Sequence, residues 1–529
     1  MVKKRVLGIL SAVLIGAMAV GCGGKTSTTA KNDSKIAASS SKEKTLIYGS
    51  AADYARINPA LDEHAEIHKI IFSGLTKHDE NSKVTPDLAE KWTYDEKNMV
   101  YTFNLKKDAK WHDGKDFTAD DVKFTIETIK NPKSNSEISA NYEEIKKVEV
   151  VDLHTVKIYM SKPCVAVLDY LSVGMIPKHL LEGKDINKDA FNQKPVGTGP
   201  YKFDKWETGQ YISLKANENY YNGQPKIKNV IFKIVEDERA RALQLKSGEI
   251  NLAQLEPHDM DTFKEQKNIK LYREKTADYR GVMFNFRNPM FKDLKVRQAL
   301  SYAIDKQKIV DEVLKGMAQV AYSPLQMGNY KNEDVEKYEY DKEKAKKLLD
   351  EAGWKVGKDG VREKDGKKLS FKITGFEGDP VRTNIANAAC QYYKDINVEA
   401  KVDVQPAGSI QWDKLEGSLI GWGSPFDPDD HTYKVFHSSQ AENGVNLNAY
   451  SNKKVDELLL NARTTLDDNK RKEYYKEFQK EFANDPPYAM IAYIDAVYGA
   501  DNKIKGIKDT VLGHHGVGFL WNIEEWDIE

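Results

Sequence analysis

The sequence predicts a multidomain α/β protein. Strand-like segments and capped amphipathic helices are mixed along the whole body, as layered α/β folds require. At 529 residues the chain is also far too long for one hydrophobic core; a prior of roughly 150 residues per domain gives about two to four domains or subdomains. No internal repeat interrupts the body.

At the N-terminus Lys3, Lys4 and Arg5 precede an apolar stretch over 6–20, the charged and hydrophobic regions of a secretion signal. The stretch is shorter than the about 20 apolar residues a membrane helix needs. It ends at Ala19-Val20-Gly21-Cys22, which resembles a bacterial lipobox with Ala19 where leucine is commoner. Residues 1–21 are thus expected to be a signal peptide, with Cys22 exposed by cleavage and acylated; two or three chains make a stable membrane anchor. The alternative is an ordinary signal cut elsewhere, with Cys22 discarded. Residues 22–44 carry scarcely an aliphatic side chain of any size, Ile36 apart, and read as a tether, holding the body on the order of 25 Å from the bilayer.

Charge and cysteine content narrow the function classes. Lys plus Arg number 80 against 81 Asp plus Glu, so no net field draws in nucleic acid. Besides Cys22 only Cys164 and Cys390 occur, without the spacing of a metal or redox motif, and both read as packed thiols, with a disulfide between them the alternative outside the cytoplasm.

The body opens on a strand-like run, 45–48, and a loop holding Asp53, Tyr54 and Asn58-Pro59. Ile67, Ile70, Ile71 and Leu75 recur at helical spacing, with Gly74 near the end. Alternation over 100–105 predicts a half-buried strand, and Asp113-Gly114 a tight hairpin turn. Asp293, Asp305 and Asp341 are placed to cap amphipathic helices, the last stopped by Gly353. Helices around 455–462 and 471–482 end at Asp485-Pro486-Pro487, and an apolar strand over 490–493 returns the chain to a sheet.

Several blocks together resemble one family, the extracellular solute-binding proteins of peptide and nickel ABC importers, family 5. They are Phe72-Ser-Gly-Leu-Thr76 with Pro86-Asp-Leu-Ala-Glu-Lys-Trp92, Lys110-Trp-His-Asp-Gly-Lys115 with Phe117-Thr-Ala-Asp-Asp-Val122, and Gly197-Thr-Gly-Pro-Tyr201. Val296-Arg-Gln-Ala-Leu300 with Ala303-Ile-Asp305, and Tyr340-Asp341 through Ala352-Gly-Trp354, follow in the family's order. The resemblance implies a two-lobed periplasmic-binding-protein-like fold of the large three-subdomain form (type II), with a hinge and an interlobe cleft. Lobe I is expected at 45–287 plus 488–529, with an inserted subdomain at about 76–195, and lobe II at 288–487. The crossings are expected near 283–288 and 487–493. A ligand touching both lobes would favour the closed state, which a permease then recognises. The resemblance further implies a monomer on the outer face of the cytoplasmic membrane, without a cofactor.

A cleft that encloses a peptide must pair its backbone and neutralise its termini. Arg382, in Gly378-Asp-Pro-Val-Arg382, stands where relatives that bind short peptides hold the carboxylate, a task suited to a guanidinium fork; otherwise it pairs with Asp379 or caps a surface helix. The segment Gly421-Trp-Gly-Ser-Pro-Phe-Asp-Pro-Asp-Asp430 matches the family block whose aspartate, three residues after the tryptophan, takes the peptide amine. Pro425 stands there, so either Asp427 shifts into the role or the contact is absent. Trp422 and Ser424 are cleft candidates, with core packing the alternative for Trp422 and turn or cap roles for Asp427, Asp429 and Asp430. Asp53, Tyr54 and Tyr279 are candidates from the first lobe. His514, with His515, His431 or His437, offers imidazoles to a nickel ion or chelate, against structural or surface roles.

Three functions follow: capture of oligopeptides or dipeptides for an importer, capture of nickel or a metal chelate, and, from other classes, an exported hydrolase or surface receptor. The chain shows no Gly-x-Ser-x-Gly, His-Glu-x-x-His or phosphate loop.

Overall fold

The computed structural model describes residues 43–529 other than 63, 64, 327 and 443. The expected signal peptide, Cys22 and the tether as far as Lys42 lie outside the described residues. Among the described residues no helix is long and apolar enough to cross a membrane.

Three larger sheets organise the body. The first has seven strands in the order Ile269–Glu274, Ala496–Asp501, Leu252–Leu255, Thr45–Ser50, Asn229–Ile234, Tyr211–Ala216 and Tyr201–Glu207. Its central pair, Thr45–Ser50 with Asn229–Ile234, is parallel, and Leu46, Tyr48, Val230 and Phe232 alternate into one core. That core is shared with a four-stranded antiparallel sheet, ordered Ala89–Asp95, Val100–Leu105, Thr155–Met160 and Ile145–Asp152. Helix Ala119–Lys130 also buries its apolar side there; Asp121 fixes its start by accepting from Thr118 N at 2.9 Å.

The third sheet has six strands, ordered Ala318–Val320, Tyr488–Ile494, Tyr279–Phe284, Gly417–Ile420, Ser370–Phe376 and Glu399–Gln405. It is covered on both faces: Val282 and Phe284 join one apolar cluster, Tyr279 and Met283 another. The chain passes between the first sheet and this one at 275–278 and at Asp495. The crossings expected near 283–288 and 487–493 therefore fall at the ends of, or inside, strands of the six-stranded sheet. Asp495 ties the two passages by accepting from Arg273 at 2.6 Å and Lys275 at 3.3 Å.

Local signals carry most of the helices. Asp293, Asp305 and Asp341 cap Leu294–Tyr302, Lys306–Lys308 and Lys342–Glu351, each accepting a backbone N–H of the first turn. The late helices run Lys453–Thr464 and Asp468–Asn484. Two expectations change in extent. The helix expected around Ile67 to Leu75 is only the single turn His68–Ile71. The Asp113-Gly114 turn forms, but one isolated bridge, Lys110 to Asp116, stands in place of a longer hairpin. Cys164 and Cys390 are free thiols.

Candidate functional site

Two glycine-containing segments place the side chains of the cleft. In Gly421-Trp422-Gly423 the backbone runs directly against the first interlobe passage: Tyr279 N donates to Trp422 O at 3.1 Å. A Cβ on Gly421 would stand 1.5 Å from Tyr279 O, and one on Gly423 1.8 Å from Ala277 O. Only glycine permits that approach. It presents Trp422 to His514 (ring centroids 5.8 Å, planes 23° apart) and to His431 (5.7 Å). In Gly197-Thr198-Gly199, Gly199 N donates to Ile71 O at 2.9 Å, and a Cβ on Gly197 would meet the same carbonyl at 1.9 Å. This pins the short turn that carries His68 and Lys69.

Between these segments lies a cavity of about 190 Å³. Its wall includes His68, Lys69, Asn141, Asp169 and Tyr170 on one side, Ser424, Asp427, Asp430 and His431 on the other, and Gly513 and His514 from the C-terminal loop. The rings of His431 and His514 stand 6.3 Å apart. A second cavity of about 130 Å³ adjoins it, sharing Lys69, Phe72, Phe426 and Gly518 and bordered by His78, Asp87 and Trp521.

His514 is held from behind. Its Nδ1 lies 2.7 Å from Asp278 Oδ1, His515 N donates to Asp278 Oδ2 at 3.0 Å, and Arg280 pairs with the same carboxylate. Burial works against the charge on Asp278, yet Arg280 and His514 hold its carboxyl well below the usual carboxylate range. Burial holds the His514 imidazole well below its ordinary value despite Asp278. A carboxylate only accepts, so the neutral ring carries its proton on Nδ1 and keeps Nε2 as its acceptor nitrogen.

Across the cavity His78 Nε2 lies 2.9 Å from Asp169 Oδ1. Burial, helped by the Lys69 charge, lowers His78 to about 3, while burial and the neighbouring Asp427 raise Asp169 well above the usual range. This pair is therefore a neutral hydrogen bond, the form a poorly solvated site favours. Phe426 stacks on the His78 ring, with centroids 3.6 Å apart.

The structure brings Ser424, Asp427, His431 and His514 of the sequence candidates together on the cavity wall, with Trp422 packed behind the two imidazoles. Asp427 is engaged there by Arg471 through two bonds of 2.7 and 2.6 Å. The other candidates are not among its lining residues. Arg382 pairs with Asp379 at 3.2 Å and lies over the Phe376 ring. Asp53 accepts from Trp206 Nε1 and Gly209 N, which closes a turn. Tyr54 packs on Phe232, and Tyr279 is fully buried between Tyr488 and Tyr493. His437 stacks on Tyr433 and bonds Ser439; His515 turns its backbone to Asp278, with φ +58°. His68, Lys69 and Asp169 were not singled out from the sequence, and Asp430 was named there only for turn or cap roles. Among the described residues no group of three or more His, Cys, Asp or Glu side chains is arranged to hold a bare metal ion.

Comparison with known proteins fits this geometry. The family described as bacterial extracellular solute-binding proteins, family 5 Middle, matches residues 83–444. The oligopeptide-binding protein AppA of Bacillus subtilis is 34% identical over 550 residues, covering 99% of each chain. Among solved structures, NikZ from Campylobacter jejuni in complex with Ni(L-His) superposes with a TM-score of 0.88 at 46% identity, over 92% of this chain and 99% of that one. AppA from Bacillus subtilis in complex with a nonapeptide superposes with a TM-score of 0.83 at 32% identity, over the same shares. The protein has their two-lobed α/β fold, and it belongs to the bacterial extracellular solute-binding proteins of family 5, the extracytoplasmic ligand-capturing components of peptide and nickel ABC importers.

Proposed function

We propose that the protein captures a compact metal chelate, a nickel ion carried by free histidine or a similar amino acid, and hands it unaltered to its permease. The observation that carries this reading is the His514–Asp278 pair on the wall of a small cavity that His68 and His431 also line. A histidine whose Nδ1–H is bonded to a carboxylate presents an oriented, more basic Nε2, the usual preparation of a metal ligand, and neutral imidazole suits nickel. Among the described residues no three-ligand group is arranged to hold a metal ion, and the ligand proposed is a metal that brings ligands of its own. The cavity, at about 190 Å³, is below the ~300–1,000 Å³ of drug-sized pockets, which favours a ligand of amino-acid size. The similarity to NikZ, whose structure holds Ni(L-His), supports the same reading.

A second reading is a short peptide. Similarity to the oligopeptide-binding AppA supports it, and the adjoining cavity of about 130 Å³ offers room for a second residue.

In either case the passages 275–278 and Asp495 serve as the hinge, and the lobes divide there. Anchoring by an acylated Cys22 keeps the monomer beside its permease.

Native mass spectrometry of the purified protein tests the ligand. The expected result is a single increment of nickel plus histidine on incubation with both, reduced at least about tenfold in affinity by His514→Ala. A ladder of co-purified peptides, with no thermal shift on adding nickel and histidine, would establish the peptide reading instead.

A further inference from the structure

Lys69 is a cation on the cleft wall with no counter-ion among the described residues. It sits on the single turn His68–Ile71, keeps accessible surface, and lines both cavities where they meet. Its ammonium makes no hydrogen bond or ion pair to any described residue. Buried cations elsewhere are paired: Lys306 donates to Lys337 O and Tyr338 O, Arg471 grips Asp427, Arg463 donates to Ala140 O and Arg362 to Asp350. The two acids whose charge acts on Lys69 are Glu66 and Asp87. Glu66 accepts from Gly518 N and Leu520 N, and Asp87 from Tyr221 Oη at 2.7 Å. Burial lowers the lysine below its ordinary range against those two acids. An ammonium without a counter-ion on the wall of a cleft attracts an anionic group of the ligand, and Lys69 lines both cavities where they meet.

We infer that Lys69 is the anion-recognising residue of the cleft: it takes the α-carboxylate of the ligand at the cavity junction, so that ligands carrying a free carboxylate are selected over those lacking one. This rests on the amino-acid-sized ligand proposed above, but it concerns the carboxylate and not the metal. A compact ammonium on a flexible stem suits a single carboxylate reached from the side, while His431 and His514 reach the cavity from other segments of the chain.

The test compares ligands that differ only in that group. Binding of nickel–L-histidine and nickel–histamine, which lacks the carboxylate, is measured by calorimetry on the parent protein and on Lys69→Met and Lys69→Arg. The parent is expected to prefer the carboxylate form by about tenfold to a hundredfold, the strength of a charge-assisted hydrogen bond. Lys69→Met is expected to lose that preference while keeping its affinity for nickel–histamine, and Lys69→Arg to restore part of it. Equal binding of the two complexes by the parent would overturn the assignment even if no variant folds, and so would an equal loss of both in Lys69→Met. If neither nickel complex binds, the metal reading fails, and the same comparison runs with a dipeptide free acid against its C-terminal amide. A parent preference for the acid that Lys69→Met abolishes then upholds Lys69, and indifference to amidation overturns it.

Discussion

Tyr170 Oη donates a 2.5 Å hydrogen bond to Asp429 Oδ2 across the cleft, with both residues buried. The tyrosine borders the core of the first lobe; the aspartate follows the strand Gly417–Ile420 of the six-stranded sheet. Beside this contact Asn141 Nδ2 donates to Asp430 Oδ1 at 3.0 Å, and Arg463 Nη2 to Ala140 O at 3.1 Å. Each of these bonds joins the two sides of the cleft, so opening the lobes would break it, and together they add to whatever a ligand contributes to closure.

Tyr170→Phe removes the donor and leaves a buried carboxylate with Arg463 at 3.7 Å as its nearest cation. A hydrogen bond to a charged group contributes about 1.5–3 kcal/mol, here to the closed state alone. The variant is expected to bind ligand about tenfold to a hundredfold more weakly with an unchanged melting temperature when empty. Small-angle scattering with ligand present should show a larger open fraction than for the parent. An unchanged affinity would mean that closure does not depend on this bond.

Asp427, the sequence candidate for a peptide amine, is held by Arg471 from the helix 44 residues further on. Breaking one side of such a buried pair costs about 3–5 kcal/mol, because the other charge stays behind. Arg471→Met is therefore expected to lower the melting temperature sharply, and Arg471→Met with Asp427→Asn to recover much of the loss. Ligand affinity of the double variant should stay near that of the parent, since the carboxylate serves the lobe. A large fall in affinity at preserved stability would return Asp427 to the ligand.

These two aspartates mark the boundary of what the chain discloses. The caps at Asp293, Asp305 and Asp341 were legible because a cap acts within three residues of itself. The strand at Val100–Leu105 was legible through its alternation. The interlobe passages were not, since Tyr279–Phe284 and Tyr488–Ile494 are buried on both faces and carry no alternation to mark where one sheet is left for another. His431 and His514 could be offered as imidazoles, but their pairing with Asp278 and Trp422 is purely tertiary. His68 and Lys69 lie on a turn too short to show a face, and their importance comes from segments 424–431 and 513–518, far along the chain.

Asp87 gives the protein a pH dependence that can be isolated. Burial raises its carboxyl to about 6, against Lys77, Tyr221 and Lys106. Its folded value lies above the unfolded one, so the folded state binds more protons between about pH 4 and 6. The stability this group lends is complete below about pH 4 and lost as pH rises through about 6, in all on the order of 3 kcal/mol. Asp87→Asn does not titrate and still accepts from Tyr221. Relative to the parent it is expected to be more stable at about pH 7.5 than at about pH 4 by up to that amount. Urea denaturation at the two pH values measures the difference, and an equal offset at both would contradict the shift.

Asp278→Asn probes the imidazole itself. The carboxylate can only accept, which assigns the proton of His514 to Nδ1. An amide in its place can donate to Nδ1, which moves the ring proton to Nε2 and takes the accepting lone pair from that nitrogen. The substitution also leaves Arg280 without its anion, so a fall of about 3–5 kcal/mol in stability is expected alongside. The two effects separate if Asp278→Glu is measured too: it keeps the charge beside Arg280 and the accepting role toward His514, at the expense of fit. Nickel–histidine affinity is expected to fall about tenfold to a hundredfold in Asp278→Asn and less in Asp278→Glu, whatever their order of stability. Affinity that instead follows the melting temperature across the two variants would make Asp278 a fold residue only and detach it from the orientation of His514.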